Sequence, residues 1–331
     1  MSETLLKIKD LFVTFDSDGR KIPAIQGVSL EIQKGRVMGL VGESGCGKSV
    51  TSLSIMDLLD HDFSHIDGSI KLGDTELVHM PVSEMQKIRG NKISMVFQEP
   101  MTSLNPVYTV QHQIAEVLIL HQNKTAAEAH EIVVEMLKKV GLPDPERIAR
   151  SYPHSLSGGQ RQRVMIAMAL CCQPLLLICD EPTTALDVTI QAQVLDLLRG
   201  LQSEMGTSIL FITHDLGVIA EIADDVSVMY AGRIVETSDI QTVFDQPLHP
   251  YTQGLMASRT DVSEGEIFTG ANRKLPCIPG NVPTPNNLPK GCSFAPRCSK
   301  CMGKCMESMP ELVDVGNGHQ VRCWLYEKGA E

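Results

Sequence analysis

A glycine-rich segment has the residue types that bind phosphate. Residues 42–49 read Gly-Glu-Ser-Gly-Cys-Gly-Lys-Ser, which fits the pattern G-x-x-x-x-G-K-[ST] between an apolar run and a helical stretch. Glycines let successive backbone N–H groups point at phosphate oxygens without a Cβ in the way. The lysine adds a positive charge near the β- and γ-phosphates, and the serine adds a hydroxyl for Mg²⁺. The predicted ATP contacts are Gly42, Glu43, Ser44, Gly45, Cys46, Gly47, Lys48, Ser49 and Val50.

A second segment places two carboxylates directly after an apolar run. The run Leu-Leu-Leu-Ile-Cys before Asp180 and Glu181 predicts a buried strand. Asp180 is then placed to hold Mg²⁺ through water, and Glu181 to orient and deprotonate the water that attacks the γ-phosphate. An acidic pair after a strand is by itself more typical of a solvated turn. Its combination with the glycine-rich segment favours a hydrolytic site.

An α/β sheet with helices on its faces must position these segments, because short apolar runs alternate with helical stretches. The predicted strands cover residues 37–41, 93–97, 175–179, 208–213 and 226–230. The predicted helices cover residues 49–59, 110–121, 126–140, 158–172 and 189–204. Residues from about 100 to 160 are mostly helical and interrupt the alternation. They predict a helical subdomain inserted into the sheet domain.

Composition and charge narrow the class of protein. The 331 residues carry a formal net charge of −11, which argues against coating of nucleic acid or anionic lipid and predicts no nucleic-acid partner. The N-terminal residues do not predict a secretory signal. The longest uncharged run has 16 residues, Val164–Cys179, and is too short to span a bilayer. A chain that lies in the cytosol is therefore expected.

Six motifs in a fixed order carry a resemblance to a known family. Residues 156–160 read Leu-Ser-Gly-Gly-Gln and precede the acidic strand. Gln98 lies in Val-Phe-Gln-Glu-Pro, Asp187 ends Thr-Ala-Leu-Asp, and His214 lies in Ile-Thr-His-Asp. With the glycine-rich segment and the acidic pair, this order resembles the ABC-type ATPases, over residues from about 5 to 240. The resemblance implies a P-loop NTPase fold of ABC type, which hydrolyses ATP to ADP and phosphate.

The resemblance also implies roles for individual residues. Gln98 matches the Q-loop and would be a catalytic residue that contacts Mg²⁺, while His214 would contact the γ-phosphate. Phe15 is the expected aromatic residue on adenine, with Phe12 as its rival. Asp187 would couple two nucleotide sites. The signature residues would reach the ATP of a partner subunit, and they are Ser157, Gly158, Gly159 and Gln160.

A narrower resemblance covers nearly the whole chain. Residues 100–106, 184–191 and 249–252, with the Cys/Pro-rich segment 291–298, are similar to ATP-binding subunits of dipeptide/oligopeptide ABC importers, a subfamily shared with nickel importers. It implies an ATPase domain at residues 1–250 and an extension at residues 251–331. It also implies a peripheral position on the cytoplasmic face of the inner membrane. The implied partners are two permease subunits, a paralogous ATPase or a second copy of this chain, and an external solute-binding protein.

Alternatives remain for the identity of the solute and for the class of protein. Nickel, another metal chelate or an antimicrobial peptide could replace di- and oligopeptides as the solute. A soluble ABC ATPase of DNA repair or translation is the rival class. Such proteins usually carry coiled-coil insertions or two cassettes, and neither is present in this sequence.

Six of the ten cysteines lie in the last 55 residues, where prolines are also frequent. Such clustering favours a metal site over disulfides in a chain without a secretory signal. The spacing fits a [4Fe–4S] cluster, which the importer resemblance also implies, or Zn²⁺. A structural role for the site is expected. The predicted ligands are Cys292, Cys298, Cys305 and Cys323, with Cys301 as an alternative.

Cys46 supports a separate hypothesis about reactivity. It lies beside Lys48 and at the start of a predicted helix, two conditions that lower the pKa of a thiol. Alkylation of Cys46 would then block ATP hydrolysis, and bound MgATP would protect the thiol.

Overall fold

The computed structural model describes residues 3–17, 19–98, 103–184, 187–258 and 277–327. Its strands in chain order are β1 (Thr4–Ser17), β2 (Arg20–Gln33), β3 (Val37–Val41), β4 (Ser64–Leu72), β5 (Thr75–Glu76), β6 (Ile93–Val96), β7 (Leu176–Asp180), β8 (Ser208–Thr213), β9 (Asp225–Tyr230), β10 (Arg233–Asp239), β11 (Val313–Asp314) and β12 (Gln320–Val321). Its α-helices are α1 (Lys48–Ile55), α2 (Val82–Ile88), α3 (Val110–Gln122), α4 (Ala126–Lys139), α5 (Pro145–Arg150), α6 (Gly158–Leu170), α7 (Val188–Met205), α8 (Leu216–Ile222), α9 (Ile240–Asp245), α10 (Pro250–Ala257) and α11 (Gly303–Glu307).

The larger sheet has the strand order β11-β12-β10-β9-β3-β8-β7-β6. Strands β9, β3, β8, β7 and β6 are parallel, and β10, β12 and β11 continue the sheet in antiparallel pairing. Parallel neighbours carry their carboxyl ends to one edge of a sheet, and ligands bind beyond that edge. The glycine-rich segment after β3 and the acidic pair at the end of β7 therefore come to the same edge.

Both faces of the parallel strands are buried, as their continuous apolar sequences predict. In β3, Val37 and Val41 face the helices, whereas Met38 and Leu40 face the second sheet. Strand β8 repeats this alternation with Phe211 on the helical side. The strand predictions in this region are correct to within one residue at each end.

The second sheet is antiparallel, with the order β2-β1-β4-β5. It covers the face of the larger sheet opposite the helices, through a shared core that includes Leu6, Leu11 and Ile25. None of its strands was predicted from the sequence. Register shifts in the pairing of β1 with β2 interrupt the simple alternation that identifies a half-buried strand.

The helical region between β6 and β7 contains α3, α4, α5 and α6. Thr125 caps α4, because its side chain accepts from the backbone N–H of Glu128 while the Glu128 carboxylate accepts from the Thr125 N–H. This is a capping box, whose sequence signature is the order Thr-x-x-Glu at residues 125–128. Apolar side chains such as Ile114 and Val133 join these helices to the core on the helical side of the sheet.

The C-terminal residues are tied to the larger sheet by one buried carboxylate. Glu236 on β10 is fully buried, and its oxygens accept from the backbone N–H groups of Leu248 and His249, each at 2.8 Å. The same carboxylate contacts Nε2 of His319 at 2.8 Å. Strand β12 then pairs with β10 and extends the sheet. These contacts dock residues after 247 onto the larger sheet.

His249 is a buried, uncharged residue at this junction. Its Nδ1 accepts from the backbone N–H of Tyr251 at 3.0 Å, and its ring packs beside Phe294. Burial and the positive charge of Arg322 lower the pKa of His249 from 6.5 to about 3. An unfolded chain binds this proton near pH 6.5, whereas the folded chain does so only near pH 3. The contribution of uncharged His249 to the free energy of unfolding is therefore complete above pH 6.5, and it is lost as the pH falls toward 3.

We expect His249→Asn to reduce the pH dependence of the free energy of unfolding in this window. Asparagine keeps an acceptor for the N–H of Tyr251 but does not titrate. The slope should fall by up to about 1.4 kcal/mol per pH unit between pH 6.5 and 3. Urea unfolding at several pH values measures it, and His154→Asn on the surface is the control. Equal slopes for the two variants would contradict the conclusion that burial lowers the pKa of His249.

Candidate nucleotide site

The glycine-rich segment forms a loop between β3 and α1, and its backbone shows why glycine is needed there. Gly45 and Gly47 have φ angles of +78° and +111°, in the left-handed region that favours glycine. A Cβ atom at Gly42 would collide with the carbonyl oxygen of Met229. Helix α1 begins at Lys48, so its N-terminal end faces the loop. A loop of N–H groups at a helix start is an anion site.

A cleft of about 660 Å³ opens at this loop. Of the ten predicted nucleotide contacts, eight line the cleft: Phe15, Glu43, Ser44, Gly45, Gly47, Lys48, Ser49 and Val50. Gly42 and Cys46 do not line it. Gln98, Glu181 and His214 complete the opposite wall. Phe12, the rival of Phe15, is exposed elsewhere on β1.

Lys48 is already held inside the loop. Its side chain is buried, and Nζ donates to the carbonyl oxygens of Gly42 at 2.8 Å and Glu43 at 3.2 Å. Both acceptors belong to the loop itself, so the ammonium group of Lys48 lies beside the position that a bound phosphate would take. A bound triphosphate offers charged acceptors in place of these neutral carbonyls.

The acidic pair lies directly across from the start of α1. Asp180 ends β7, and its Oδ1 accepts from the hydroxyl of Ser49 at 3.2 Å. Burial raises the pKa of Asp180 above its usual value, because an ionised carboxylate loses hydration there. A hydroxyl and a carboxylate at this distance are the hard oxygen ligands that Mg²⁺ takes beside phosphate.

The Glu181 carboxylate contacts side chains from three other predicted motifs. Its Oε2 accepts from Nε2 of Gln98 at 3.2 Å and from the hydroxyl of Thr184 at 2.9 Å. Nδ1 of His214 lies 3.3 Å from its Oε1. The residue has a φ angle of +48°, an uncommon conformation for a side chain other than glycine. The carboxylate is thus held at the edge of the cleft by groups from separate loops.

The signature residues lie outside this chain's own cleft. Ser157 caps α6, where its hydroxyl accepts from the backbone N–H of Gln160 and the Gln160 side chain accepts in return. Ser157 and Gly158 are exposed, and Gly159 and Gln160 are half-buried. The start of this helix is therefore accessible at the surface of the chain, and a helix N-terminus attracts anions.

The remaining motif residues are placed as follows. Asp187 caps α7, and its carboxylate accepts from the backbone N–H of Ile190 at 2.9 Å. Residues 185 and 186 of the same motif lie outside the described residues, as do residues 99–102 of the segment that follows Gln98. In the described part of the chain, no helix is long and apolar enough to cross a membrane.

The hypothesis of a reactive Cys46 is wrong in its premise. The thiol is about 1% exposed and turns into the core between the two sheets. Burial raises the pKa of Cys46, and this effect outweighs the nearby charge of Lys48, which lowers it. A buried thiol that stays protonated is a poor nucleophile.

We therefore expect Cys46 to react slowly with iodoacetamide in the folded chain. Cys277 and Cys301 are exposed and should be alkylated first. Mass spectrometry of timed digests measures the order of modification, and the same reaction in urea serves as the control. Modification of Cys46 at the rate of the two exposed thiols would contradict this prediction.

The four predicted ligand cysteines line one small cavity. Cys292, Cys298, Cys305 and Cys323 surround it together with Trp324. Cys301 is exposed and does not line it. Among the described residues, no group of three or more histidine, cysteine or acidic side chains is arranged so that it could hold a metal ion. The thiols thus share a cavity without converging on one point.

Several residues at the cleft were not found from the sequence. Leu255 and Pro285, from the C-terminal part of the chain, line the cleft beside Ile22 and Ala24 of β2. Tyr251 and Arg297 contact the glycine-rich loop at Glu43. The sequence segment His-Pro-Tyr-Thr at 249–252 marks the position of Tyr251, but its partner lies more than 200 positions away.

The fold and the cleft define an ATPase of the ABC class. Residues 25–184 match the ABC transporter family, and residues 235–305 match the C-terminal region of oligopeptide/dipeptide transporters. The ATP-binding cassette MJ0796, in a dimeric post-hydrolysis state bound to ADP and Pi, superposes with a TM-score of 0.64 at 29% identity. The alignment covers 71% of this chain and 98% of that one. The cassette cbiO1 from Clostridium perfringens gives a TM-score of 0.62 at 26% identity, covering 74% and 92% of the two chains.

Similarity to peptide transporters extends over the full length. The oligopeptide transport ATP-binding protein AppD of Bacillus subtilis is 55% identical over 99% of both chains. The oligopeptide transport ATP-binding protein OppD of the same organism is 48% identical, over 98% of this chain and 90% of that one. The chain belongs to the family of ABC transporter ATP-binding proteins of the oligopeptide/dipeptide type.

Proposed function

We propose that this chain binds and hydrolyses MgATP to drive the import of di- and oligopeptides through a membrane complex. The observation that carries the proposal is the position of Glu181 at the rim of the loop cleft, in contact with Gln98, Thr184 and His214. A carboxylate so held can orient a water and accept its proton. The full-length similarity to oligopeptide transport ATP-binding proteins supports a peptide as the solute.

Each predicted contact has a task in this proposal. Phe15 stacks on the adenine, the glycine-rich loop cradles the phosphates, and Lys48 moves from the loop carbonyls to the phosphate oxygens. Ser49, Asp180 and Gln98 would hold Mg²⁺, which neutralises phosphate charge when bound. Glu181 removes the proton of the attacking water, and His214 contacts the γ-phosphate.

The outward-facing signature supports pairing with a second ATPase domain. Ser157, Gly158, Gly159 and Gln160 would contact the ATP of that partner, and Asp187 would couple the two sites. The partner is a paralogous ATPase or a second copy of this chain. Closure of the pair on two nucleotides and reopening after hydrolysis would drive transport.

The membrane part of the complex comes from other chains. Two permease subunits would span the bilayer, and an external protein would deliver the solute. This chain would bind the permeases from the cytoplasmic side, through the helical subdomain between β6 and β7. Its position at the membrane is then peripheral.

The test is uptake into proteoliposomes that hold the chain with its permeases and partner ATPase, with the solute-binding protein outside. We expect ATP-dependent uptake of a labelled pentapeptide, and no competition by Ni²⁺. Uptake of Ni²⁺ instead would contradict the peptide assignment. A rate of ATP hydrolysis that is the same with and without the permeases would contradict a transport role and favour a soluble ABC ATPase.

We further propose that the cysteine cavity is a metal site, with a [4Fe–4S] cluster as the first choice and Zn²⁺ as the second. The set of four thiols in one short segment supports the proposal, and binding would require these thiols, which line one cavity, to converge on the metal. The segment is short of apolar core, with Ala295, Cys305 and Trp324 as its own small cluster, so ligation would stabilise it.

Metal content of the anaerobically purified chain tests this proposal. Iron and acid-labile sulfide near four each per chain would indicate the cluster. About one zinc without sulfide would indicate the alternative. Neither metal at a significant level would contradict a metal site, and single Cys→Ser variants would identify the ligands.

A further inference from the structure

An arginine from the C-terminal part of the chain reaches into the glycine-rich loop. Arg297 ends a short 3-10 turn, 254 positions after Glu43, and its guanidinium is almost fully buried. Its Nη1 lies 2.6 Å from Oε2 of Glu43, and its Nη2 lies 3.0 Å from Oε1. Two parallel contacts of this kind fix both the position and the orientation of a carboxylate.

The rest of the guanidinium is held by its own segment. Its Nε donates to the carbonyl oxygen of Pro279 at 2.9 Å, and Nη2 to that of Ile278 at 3.4 Å. Nη1 also lies 3.4 Å from the hydroxyl of Tyr230. The contact with Glu43 raises the pKa of Arg297 further above its usual value. The arginine is therefore a fixed cation, not a mobile surface charge.

The backbone of the same loop residue is held by a second buried group. The N–H of Glu43 donates to the hydroxyl of Tyr251 at 2.9 Å. Tyr251 packs against Tyr230 and Phe294, in an aromatic cluster that joins α10 to the segment carrying Arg297. The second residue of the loop is thus bound at its main chain and at its side chain by groups from outside the loop.

We propose that Arg297 is a positioning residue for ATP binding. It neutralises Glu43 and holds it away from the phosphates, so the docked C-terminal segment sets the affinity of the loop for nucleotide. Glu43 lines the cleft, and an unpaired carboxylate there would repel a triphosphate. The inference rests on ATP binding at this cleft, which is part of the proposed function.

The test is the dissociation constant of the fluorescent analogue mant-ATP for the full-length chain. We expect Arg297→Gln to weaken binding by about tenfold, the order of one uncompensated charge near a charged ligand. At saturating ATP, the turnover number should change less than about twofold, because Arg297 does not touch the reacting atoms. Adding Glu43→Gln to this variant should restore most of the lost affinity, since the repelling charge is then gone.

A matched control separates this role from docking of the whole segment. Arg322 is half-buried and donates to the carbonyl oxygens of Ile234 and Pro310, neither of which belongs to the loop. Arg322→Gln makes the same chemical change in the same part of the chain. An equal loss of affinity in Arg322→Gln, or no recovery in the double variant, would overturn the proposal. A wild-type chain that does not bind mant-ATP would instead contradict the nucleotide site itself.

If Arg297→Gln does not fold, the dissociation constant for mant-ATP is measured with Arg297→Lys instead. Lysine keeps the charge but loses the paired contact with Glu43, so a two- to fourfold weaker binding is expected. Combined with Glu43→Gln, the free lysine charge should bring affinity to the wild-type value or above it. Unchanged affinity in Arg297→Lys alone would overturn the role of Arg297.

Discussion

Glu181→Gln should abolish steady-state ATP hydrolysis while leaving nucleotide binding intact. The amide keeps the size of the side chain and an oxygen that can accept from Gln98 and Thr184. It does not accept the proton of an attacking water. Loss of a general base lowers a rate by about 10²–10⁴-fold. We expect a turnover number reduced by at least about 10², with the dissociation constant for mant-ATP changed less than about threefold.

A release assay for phosphate and a binding titration on the same preparation measure these two quantities. Glu204→Gln is the matched control, because Glu204 lies on the surface of α7 and pairs with Lys139. Its turnover should equal that of the unaltered chain. Substantial residual hydrolysis by Glu181→Gln would contradict the assignment of Glu181 as the base and point to another proton acceptor.

Lys48→Met should have the largest effect on nucleotide binding. Methionine keeps an unbranched stem in the buried space but removes the ammonium group, which donates to the loop carbonyls of Gly42 and Glu43. A hydrogen bond to a charged group contributes about 1.5–3 kcal/mol. At 1.4 kcal/mol for each factor of ten, ATP affinity should fall by roughly 10- to 150-fold.

Titration with mant-ATP measures this loss. Lys87→Met, on the exposed face of α2, is the control and should bind as the unaltered chain does. A melting temperature within a few degrees of the unaltered chain would show that the loop still folds. Affinity within about twofold of the unaltered chain would contradict the role of Lys48 as a phosphate ligand. The two variants distinguish two functions of the site. Lys48→Met affects the binding of ATP, and Glu181→Gln affects the chemical step.

Local sequence was enough to locate the chemistry of the cleft. Eight of the ten predicted contacts line it, and Gln98, Glu181 and His214 meet at its edge. Such motifs can be read from sequence because the loop, the strand end and the helix start are each continuous segments. The same holds for the capping box of α4 and for the parallel strands, whose continuous apolar runs mark burial on both faces.

The antiparallel sheet could not be read in this way. Strands β1 and β2 pair with shifts in register, so their buried residues do not follow a strict period of two. Strand β4 buries Ile66 and Ile70, but the exposed Asp67 and Gly68 between them are residue types that strands disfavour. Pairing partners, rather than propensity within each segment, decide that these residues form strands.

The reactivity of Cys46 shows how tertiary burial can reverse a local argument. A neighbouring lysine and a helix start lower the pKa of a thiol when water reaches it. In the folded chain, the thiol lies in the buried apolar core between the two sheets, and the cost of removing a thiolate from water becomes the larger effect. Exposure is a property of the fold, and local sequence carries little information about it.

By itself, the sequence determined that this chain has the loop, the carboxylates and the signature of an ABC-type ATPase. Only the tertiary structure decided which distant residues support the loop. Arg297 meets Glu43 across 254 positions, and Glu236 binds the backbone of Leu248 and the side chain of His319. The physical reason is range: phosphate-binding patterns depend on neighbours along the chain, whereas a buried ion pair depends on partners that only docking brings together.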